Sequence, residues 1–323
     1  MRSINDDAIL LDWKDGSISG ATLRERMGLA MMRLAAVTTQ SPERPGFSKM
    51  AAAIANLFPS DRFVRVKFSD DTVYQFPYGD AYWSVLCAPG FTYEREIEGF
   101  VRRCAAENID YVFVDCGANF GYWSCRISSQ QAGGQRAIAI EASSESFGHT
   151  MRNRALNDNR FIAHHRAVSD RHGQQLAIDS GSKHEQRAVT PCNGLPVAET
   201  VRALALEKLQ DVDPASDNLV VKLDVEGLEI EALQSAGQWL DHRTLIIFED
   251  HGSDREHTNA RAFKEQFGLD IYTGSPNGRF ERIDDFARMD AIKTVRRKGY
   301  DFFATRSSFW LDFLNSEPRP QNT

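Results

Sequence analysis

The sequence predicts an α/β protein with a doubly wound, mostly parallel sheet of seven strands, preceded by an N-terminal extension of helix and hairpin. From residue 111 onwards, short apolar β-branched runs alternate with segments of helical periodicity. Such alternation is typical of parallel sheets that are covered by helices. The first of these strands also ends in a glycine-rich turn before a helix. Open α/β sheets form a ligand crevice in this way, at the carboxyl ends of their strands.

The first 90 residues carry a different pattern, and we assign residues 1–90 to a separate extension. Ala21–Ala36 predicts a helix whose apolar face packs on the main domain or forms a homodimer contact. That face consists of Leu23, Met27, Ala30, Met31 and Leu34. Residues 40–46 are typical of a linker. Arg62–Phe76 alternates around a polar turn and predicts a hairpin. The aromatic segment Tyr74–Phe91 predicts core packing for this hairpin, with stacking on a sugar ring or a flat product as the alternative.

The main domain is predicted to span residues 91–310, with a flexible tail at 311–323. It begins with a predicted helix at Tyr93–Cys104. Its predicted strands are Tyr111–Asp115, Arg136–Glu141, Phe161–Val168, Leu219–Asp224, Thr244–Glu249, Asp270–Thr273 and Asp301–Thr305. Its other predicted helices are Tyr122–Gln130, Glu145–Leu156, Glu226–Leu240, Arg255–Phe267 and Asp284–Arg297. Residues 174–210 interrupt the alternation and predict an insertion or a hairpin near the site.

The composition argues against several classes of protein. A hydrophobic content of 42% with 26% charged residues is ordinary for a globular chain. A net charge of −7 argues against a nucleic-acid partner, and the short basic run Lys293–Lys298 is predicted to be a solvated helix face. The five cysteines are scattered without metal-ligand spacing, so neither a zinc site nor a disulfide framework is predicted. Without a signal-like segment or a membrane-length apolar run, we expect a cytoplasmic protein.

The stretch YVFVDCGANFGYWS at residues 111–124 predicts a strand, a tight turn and a helix. Asp115 ends the strand, and Gly117, Asn119 and Gly121 follow in the turn. The pattern D-x-G-x-N-x-G differs from the dinucleotide pattern G-x-G-x-x-G, and an acid in the turn would repel phosphate. It suits a ligand with an ammonium and a sulfonium, which indicates S-adenosylmethionine. An ordinary turn in which Asp115 caps the helix is the alternative.

Two further positions predict contacts with this cofactor. Glu141 closes the second strand, and a carboxylate there can accept two hydrogen bonds from the vicinal diol of a ribose. Its alternative role is that of an acid before the next helix. Ser169 and Asp170 follow the third strand, where they are placed to contact the adenine or to form a simple turn.

The run VVKLDVEGLE at Val220–Glu229 predicts a second strand-to-helix turn. Asp224 and Glu226 are therefore expected at the carboxyl edge of the sheet, where a methyl donor and its acceptor should meet. Lys222 lies within the apolar strand and needs a partner, either Asp224 or Glu249. A buried structural ion pair with a helix cap is the alternative.

The predicted fifth strand ends on Glu249, Asp250 and His251. Such a cluster offers a general base or ligands for a divalent cation. We expect Asp224 or His251 to be the base, with Glu226 and Glu249 orienting the reactants. A magnesium ion bridging Asp224, Glu249 and Asp250 is the alternative. Metal-independent chemistry is favoured, and no metal site is assigned.

The sequence resembles the FkbM-type methyltransferases, a group within the class I S-adenosylmethionine-dependent enzymes. The resemblance rests on FVDCGANFGYWS, AIEAS, RAVSD, VKLDVEGLEIEAL and GYDFFATR, in that order along the chain. It implies that Asp115, Gly117 and Asn119 line the methionine end of the cofactor, and that Glu141 holds the ribose.

The same resemblance implies methyl transfer to a hydroxyl group of a saccharide or a secondary metabolite, with Asp224 and Glu226 facing this acceptor. Two other functions stay open. A nicotinamide-dependent oxidoreductase could use a similar sheet, although the missing G-x-G-x-x-G pattern counts against it. A non-catalytic module could keep the cofactor crevice without turnover.

Overall fold

The computed structural model describes residues 7–38, 46–178, 189–191 and 199–319. The chain divides into two compact units, one of residues 1–93 with 155–158 and one of residues 94–154 with 159–323. Most of the predicted linker, parts of the predicted insertion at 174–210, Cys192 and residues 320–323 lie outside the described ranges. Within those ranges, no helix is long and apolar enough to cross a membrane.

In its described residues, the N-terminal unit contains a four-stranded sheet of order β2-β1-β3-β4 and two α-helices. Its elements are β1 Ile9–Asp12, β2 Ile18–Ser19, α1 Leu23–Thr38, α2 Phe47–Leu57, β3 Phe63–Lys67 and β4 Val73–Pro77. The predicted hairpin is confirmed, because β3 and β4 pair antiparallel. Tyr74, Phe76 and Trp83 are buried, as predicted for the aromatic segment.

The predicted helix at Ala21–Ala36 is present as α1, but the face predicted to pack on the main domain is exposed, and the homodimer contact stays a prediction. Leu23 is 76% exposed and Leu34 is 63% exposed, and Met27, Ala30 and Met31 are exposed as well. The buried apolar side of α1 is the opposite one, with Leu29, Met32, Ala35 and Ala36. Apolar residues occur on both sides of this helix, so periodicity alone could not identify the packed side.

The large unit contains an eight-stranded sheet of order β15-β14-β16-β13-β12-β5-β6-β7 and a smaller sheet of order β10-β9-β11-β8. Its strands are β5 Val112–Cys116, β6 Arg136–Glu141, β7 Ile162–His165, β8 Ala167–Val168, β9 Gln175–Ile178, β10 Val189–Pro191, β11 Glu199–Leu204, β12 Leu219–Leu223, β13 Thr244–His251, β14 Asp270–Gly274, β15 Phe280–Ile283 and β16 Gly299–Thr305. Its helices are α3 Arg95–Glu107, α4 Tyr122–Ile127, α5 Ser144–Leu156, α6 Glu229–Gln234, α7 Thr258–Glu265, α8 Phe286–Ile292 and α9 Ser308–Asn315.

The predicted doubly wound, mostly parallel sheet is confirmed. Strands β13, β12, β5, β6 and β7 run parallel, and β14, β15 and β16 add antiparallel pairs at one side. The count of seven strands is corrected to eight by β15, which was not predicted. The predicted strand Phe161–Val168 is divided between β7 in the large sheet and β8 in the small one. Helices α4, α6, α7 and α8 are shorter than predicted.

The register of the large sheet sets the position of the polar side chains. Cys116 of β5 lies opposite Ile140 of β6 and Leu223 of β12, and Leu223 lies opposite Phe248 of β13. The apolar core fills the space under this part of the sheet. The carboxyl ends of four parallel strands therefore meet at one edge, which brings the acids that follow them together.

Candidate active site

The turn after β5 is fixed by residues with left-handed backbone. Gly117, Asn119 and Gly121 have φ values of 81°, 51° and 79°. A Cβ on Gly117 would overlap the carbonyl oxygen of Asp224, so only glycine lets the ends of β5 and β12 approach this closely. The N–H of Gly117 also donates to the carbonyl of Ile140 at 2.9 Å. The turn is thereby held between the ends of β6 and β12.

Glu141 lies at the end of β6 with both carboxylate oxygens engaged by backbone donors. The N–H of Asn119 donates to Oε2 at 2.7 Å, and the N–H of Ser143 donates to Oε1 at 2.8 Å. Burial raises the pKa of Glu141 to about 7, although these two hydrogen bonds oppose the rise. Each oxygen keeps a further lone pair, so the group can still accept hydrogen bonds from a diol.

Asp115 is 2% exposed at the end of β5. Its Oδ2 accepts a hydrogen bond from the Ser124 hydroxyl in α4 at 2.9 Å. Burial raises the pKa of Asp115 to about 6, while Lys222 and the Ser124 hydrogen bond act in the opposite direction. The residue that caps α4 is Gly121, so the alternative role of Asp115 as the helix cap is wrong.

Lys222 is the buried cation of this edge. It is 4% exposed, and its Nζ donates to Oδ2 of Asp224 at 2.8 Å. Of the two predicted partners, Asp224 is therefore the one that it contacts. Burial opposes the charged form of Lys222, but Asp224 and Glu94 outweigh it and raise its pKa well above the ordinary value. Oε1 of Glu94 lies 3.7 Å from the same Nζ.

Glu249 and Asp301 face each other across the antiparallel pair of β13 and β16. Burial raises the pKa of Glu249 well above its ordinary value, and the nearby Asp224 raises it further. Burial also raises the pKa of Asp301, and Glu94 adds to the effect. A Cβ on Gly299 would overlap the carboxyl group of Glu249, so this glycine leaves the space that the carboxyl occupies.

The turn after β12 contains Glu226 and is ordered by Glu229. Glu226 is exposed and has a φ of 52°, and its charge contributes to the raised pKa of Glu249, after burial. Oε1 of Glu229 accepts hydrogen bonds from the N–H groups of Val225 and Gly227 at 3.3 and 3.2 Å. The positive φ of Glu226 and Gly227 explains why α6 begins only at Glu229.

Asp250 points away from its neighbours in the predicted acid-acid-His cluster. It forms a buried ion pair with Lys293, which is fully buried and not part of a solvated face as predicted. His251 is exposed, and its Nδ1 lies 2.5 Å from the Ser253 hydroxyl. A magnesium bridge through Asp224, Glu249 and Asp250 does not fit this arrangement. Among the described residues, no group of three or more His, Cys, Asp or Glu side chains is arranged to hold a metal ion.

Ser169 and Asp170 follow β8 of the small sheet. Ser169 is buried, and its hydroxyl donates to Oδ1 of the exposed Asp170 at 3.1 Å. The backbone N–H of Ser169 donates to the carbonyl of Leu204 at 3.1 Å. These contacts form a turn, and the adenine contact stays a prediction.

Sequence reasoning missed two acids of this edge, Glu94 and Asp301. Glu94 precedes a helix whose early acids suit the helix dipole, so the sequence offered an ordinary explanation for it. Asp301 opens the predicted strand Asp301–Thr305 and carries no turn signal. The run GYD at residues 299–301 does place a glycine and an acid together, which was the available signal.

Three comparisons place the chain among known proteins. A family profile described as the methyltransferase FkbM domain matches residues 115–302, more than half of the chain. No curated protein matches the chain. One similar structure is an FkbM methyltransferase from Methylobacillus flagellatus KT, with 11% identity, 88% of this chain and 63% of that one covered, and a TM-score of 0.36.

Two other similar structures are also methyltransferases. One is an O-methyltransferase from Bacillus cereus in complex with SAH, with 11% identity, 68% of this chain and 84% of that one covered, and a TM-score of 0.37. The other is a precorrin-6y C5,15-methyltransferase from Geobacter metallireducens GS-15, with 15% identity, 64% of this chain and 86% of that one covered, and a TM-score of 0.34. Likenesses this distant indicate nothing about activity. On the profile match, which includes both glycine turns, the chain belongs to the FkbM methyltransferase domain family.

Proposed function

We propose that this chain is an S-adenosylmethionine-dependent O-methyltransferase that acts on a hydroxyl group of a saccharide or a secondary metabolite. The observation that carries the proposal is the convergence of Glu141, Asp115 and the Lys222–Asp224 pair at one edge of the sheet. Glu141 can accept hydrogen bonds from a diol, and Asp115 is a buried acid beside a glycine turn. Asp224 is an anion that Lys222 holds in place.

The residues at this edge fit the chemistry of the cofactor. When bound, S-adenosylmethionine supplies a methyl group on a positively charged sulfur. Glu141 would hold the ribose hydroxyls, while Asp115, Gly117, Asn119 and Gly121 would line the methionine end. The buried carboxyl of Asp115 favours a positively charged partner over a phosphate.

The acceptor hydroxyl needs a group that takes its proton as the oxygen takes the methyl group. Asp224 is the proposed base, because Lys222 holds its carboxylate in one orientation at 2.8 Å. Glu226 and Glu249 would orient the acceptor beside it. His251 is the second candidate for the base, and its exposed ring contacts Ser253. Positioning of the two reactants supplies the rest of the acceleration.

The test measures S-adenosylhomocysteine formed from S-adenosylmethionine with a panel of saccharides and hydroxylated metabolites. Asp224→Asn should lower kcat by about 10²–10⁴-fold, since an amide cannot take the proton. His251→Gln is the matched comparison and should change kcat much less. A folded wild-type protein that binds NADH but not S-adenosylmethionine would contradict the proposal and favour the oxidoreductase. A wild-type protein that binds the cofactor without turnover on any acceptor would favour the non-catalytic module.

A further inference from the structure

Glu94 lies at the boundary between Tyr93 and α3, before the matched family region at residues 115–302. It is a non-glycine residue with a φ of 41°. Left-handed backbone is unfavourable for an L-residue, and it persists where the surroundings impose it. Its side chain is 12% exposed, although glutamate is rarely buried without partners.

The two carboxylate oxygens of Glu94 contact different elements of the site. Oε2 accepts a hydrogen bond from the indole N–H of Trp123, in the first turn of α4. Oε1 lies 3.7 Å from Nζ of Lys222, in β12. Glu94 therefore joins the helix that follows the first glycine turn to the strand that precedes the second one.

Lys222 contacts both Glu94 and Asp224. Its Nζ donates to Asp224 at 2.8 Å and has Glu94 as its other close carboxylate. Asp115 and Asp301 also act electrostatically on Lys222, but the ion pairs within 4 Å are those with Glu94 and Asp224. A buried ammonium that loses one of these two close partners can change its orientation towards the other. The position of the Asp224 carboxylate is thus linked to Glu94 through a single side chain.

We propose that Glu94 is a positioning residue of the methyl-transfer site, which acts through Lys222 on Asp224. The assignment rests on the proposed function of the edge, but the contacts that carry it are independent of the acceptor. Glu94 supplies no atom to the reaction. It holds Lys222, which in turn holds the proposed base Asp224. Glu94 lies outside the matched family region at residues 115–302.

The negative charge of Glu94 also acts on the surrounding acids. For Asp115 the facing charged groups are Lys222, Glu94, Asp224 and Glu141, and Glu94 raises the pKa of Asp115 in addition to the effect of burial. A neutral side chain at position 94 removes that contribution. The Asp115 carboxyl should then titrate at lower pH than in the wild-type protein.

The test compares Glu94→Gln with Glu98→Gln in the full chain. Glu98 lies in the first turn of α3, one turn after Glu94, and accepts two hydrogen bonds from Arg126, at 2.9 and 3.2 Å. Its variant breaks a buried ion pair of similar kind without contacting Lys222, so it reports the effect of lost stability alone. Urea unfolding of both variants shows that each is folded before other measurements.

The first measurement is the titration of the Asp115 carboxyl by NMR on protein labelled at the aspartate γ-carbon, assigned with Asp115→Asn. It needs neither cofactor nor acceptor. We expect a shift to lower pH in Glu94→Gln and none in Glu98→Gln. An unchanged titration in Glu94→Gln, or an equal shift in both variants, would overturn the proposal.

The second measurement is methyl transfer with an acceptor found as described above. Glu94→Gln should lower kcat by roughly 10- to 100-fold with little change in the KM of the acceptor, because misplacement affects the reacting geometry more than binding. Equal loss in Glu98→Gln would reduce Glu94 to a structural role. If wild-type protein shows no methyl transfer at all, the proposed function fails, while the titration still decides whether the charge of Glu94 acts on the buried acids of this edge.

Discussion

Glu141 shows at the scale of single residues how burial and hydrogen bonding together set the properties of the site. Its place at the end of β6 could be predicted, because an apolar strand that ends on an acid is visible in the sequence. Its two backbone donors could not, since Asn119 belongs to a turn 22 residues earlier in the chain. The position of Asp224 at the end of an apolar strand could likewise be predicted from the sequence. The contact between its partner Lys222 and Glu94 could not be predicted.

The raised pKa of Glu141 predicts that cofactor affinity depends on pH. Burial raises this pKa to about 7, and the ionised carboxylate is the better acceptor for a diol. Affinity for S-adenosylmethionine should therefore increase between about pH 6 and about pH 8. Glu141→Gln should bind about tenfold more weakly and lose the part of this dependence that is due to Glu141, as measured by isothermal titration calorimetry. Glu145→Gln, an exposed acid in α5, is the control and should behave like wild type.

The same group predicts a change of stability with pH. The pKa of Glu141 rises from 4.5 to about 7 on folding, so the folded protein keeps a proton that the unfolded chain releases in this range. The free energy of unfolding should fall as pH rises through the range, by on the order of 3 kcal/mol from this group. Urea unfolding at several pH values should show a smaller fall in Glu141→Gln. Parallel curves for the two proteins would refute this linkage.

At the scale of elements, the strands of the parallel sheet could be predicted and several boundaries could not. Apolar β-branched runs such as β5 and β12 are distinctive. Strand β15, with the sequence FERI, is short, charged and at the sheet edge, so it lacks that pattern. Helix α6 is short because Glu226 and Gly227 adopt left-handed backbone, which helical periodicity does not reveal.

The close approach of the two glycine turns predicts a strong effect of a single methyl group. Gly117→Ala would add strain at a φ of 81° and a clash with the carbonyl oxygen of Asp224, so both turns must shift. We expect the free energy of unfolding to fall by about 2–3 kcal/mol. We also expect Gly117→Ala to lose cofactor binding. Gly148→Ala within α5 has open space and should stabilise by about 0.5–1 kcal/mol. Thermal unfolding of the two variants with and without cofactor distinguishes these outcomes.

At the scale of the whole molecule, the α/β class and the position of the site edge followed from the sequence, because parallel strands align their carboxyl ends. The packing of the N-terminal unit did not follow. The face of α1 predicted to be buried is exposed, and Leu23, Met27, Met31 and Leu34 share it. When a helix has apolar residues on both sides, the sequence alone does not show which side is packed.

The exposed apolar face of α1 is where we predict the contact of a homodimer, and this prediction can be tested directly. Burial of these side chains against a second copy would remove apolar surface from water. Light scattering after size exclusion should give the mass of a dimer for the wild-type protein. The double variant Leu23→Gln, Leu34→Gln should move towards the monomer, while Met151→Gln in α5 should not. A wild-type monomer at all concentrations would show that the prediction is wrong.

The edge formed by Asp115, Glu141 and Asp224 is proposed to bind S-adenosylmethionine for methyl transfer. The most direct measurement is the heat of binding of this cofactor to the purified protein at about pH 8, with NADH in parallel and with the Asp115→Ala and Glu141→Ala variants. We expect micromolar affinity for S-adenosylmethionine, no heat with NADH and loss of binding in both folded variants. A folded wild-type protein that binds no S-adenosylmethionine, or binds it unchanged in both variants, would contradict it.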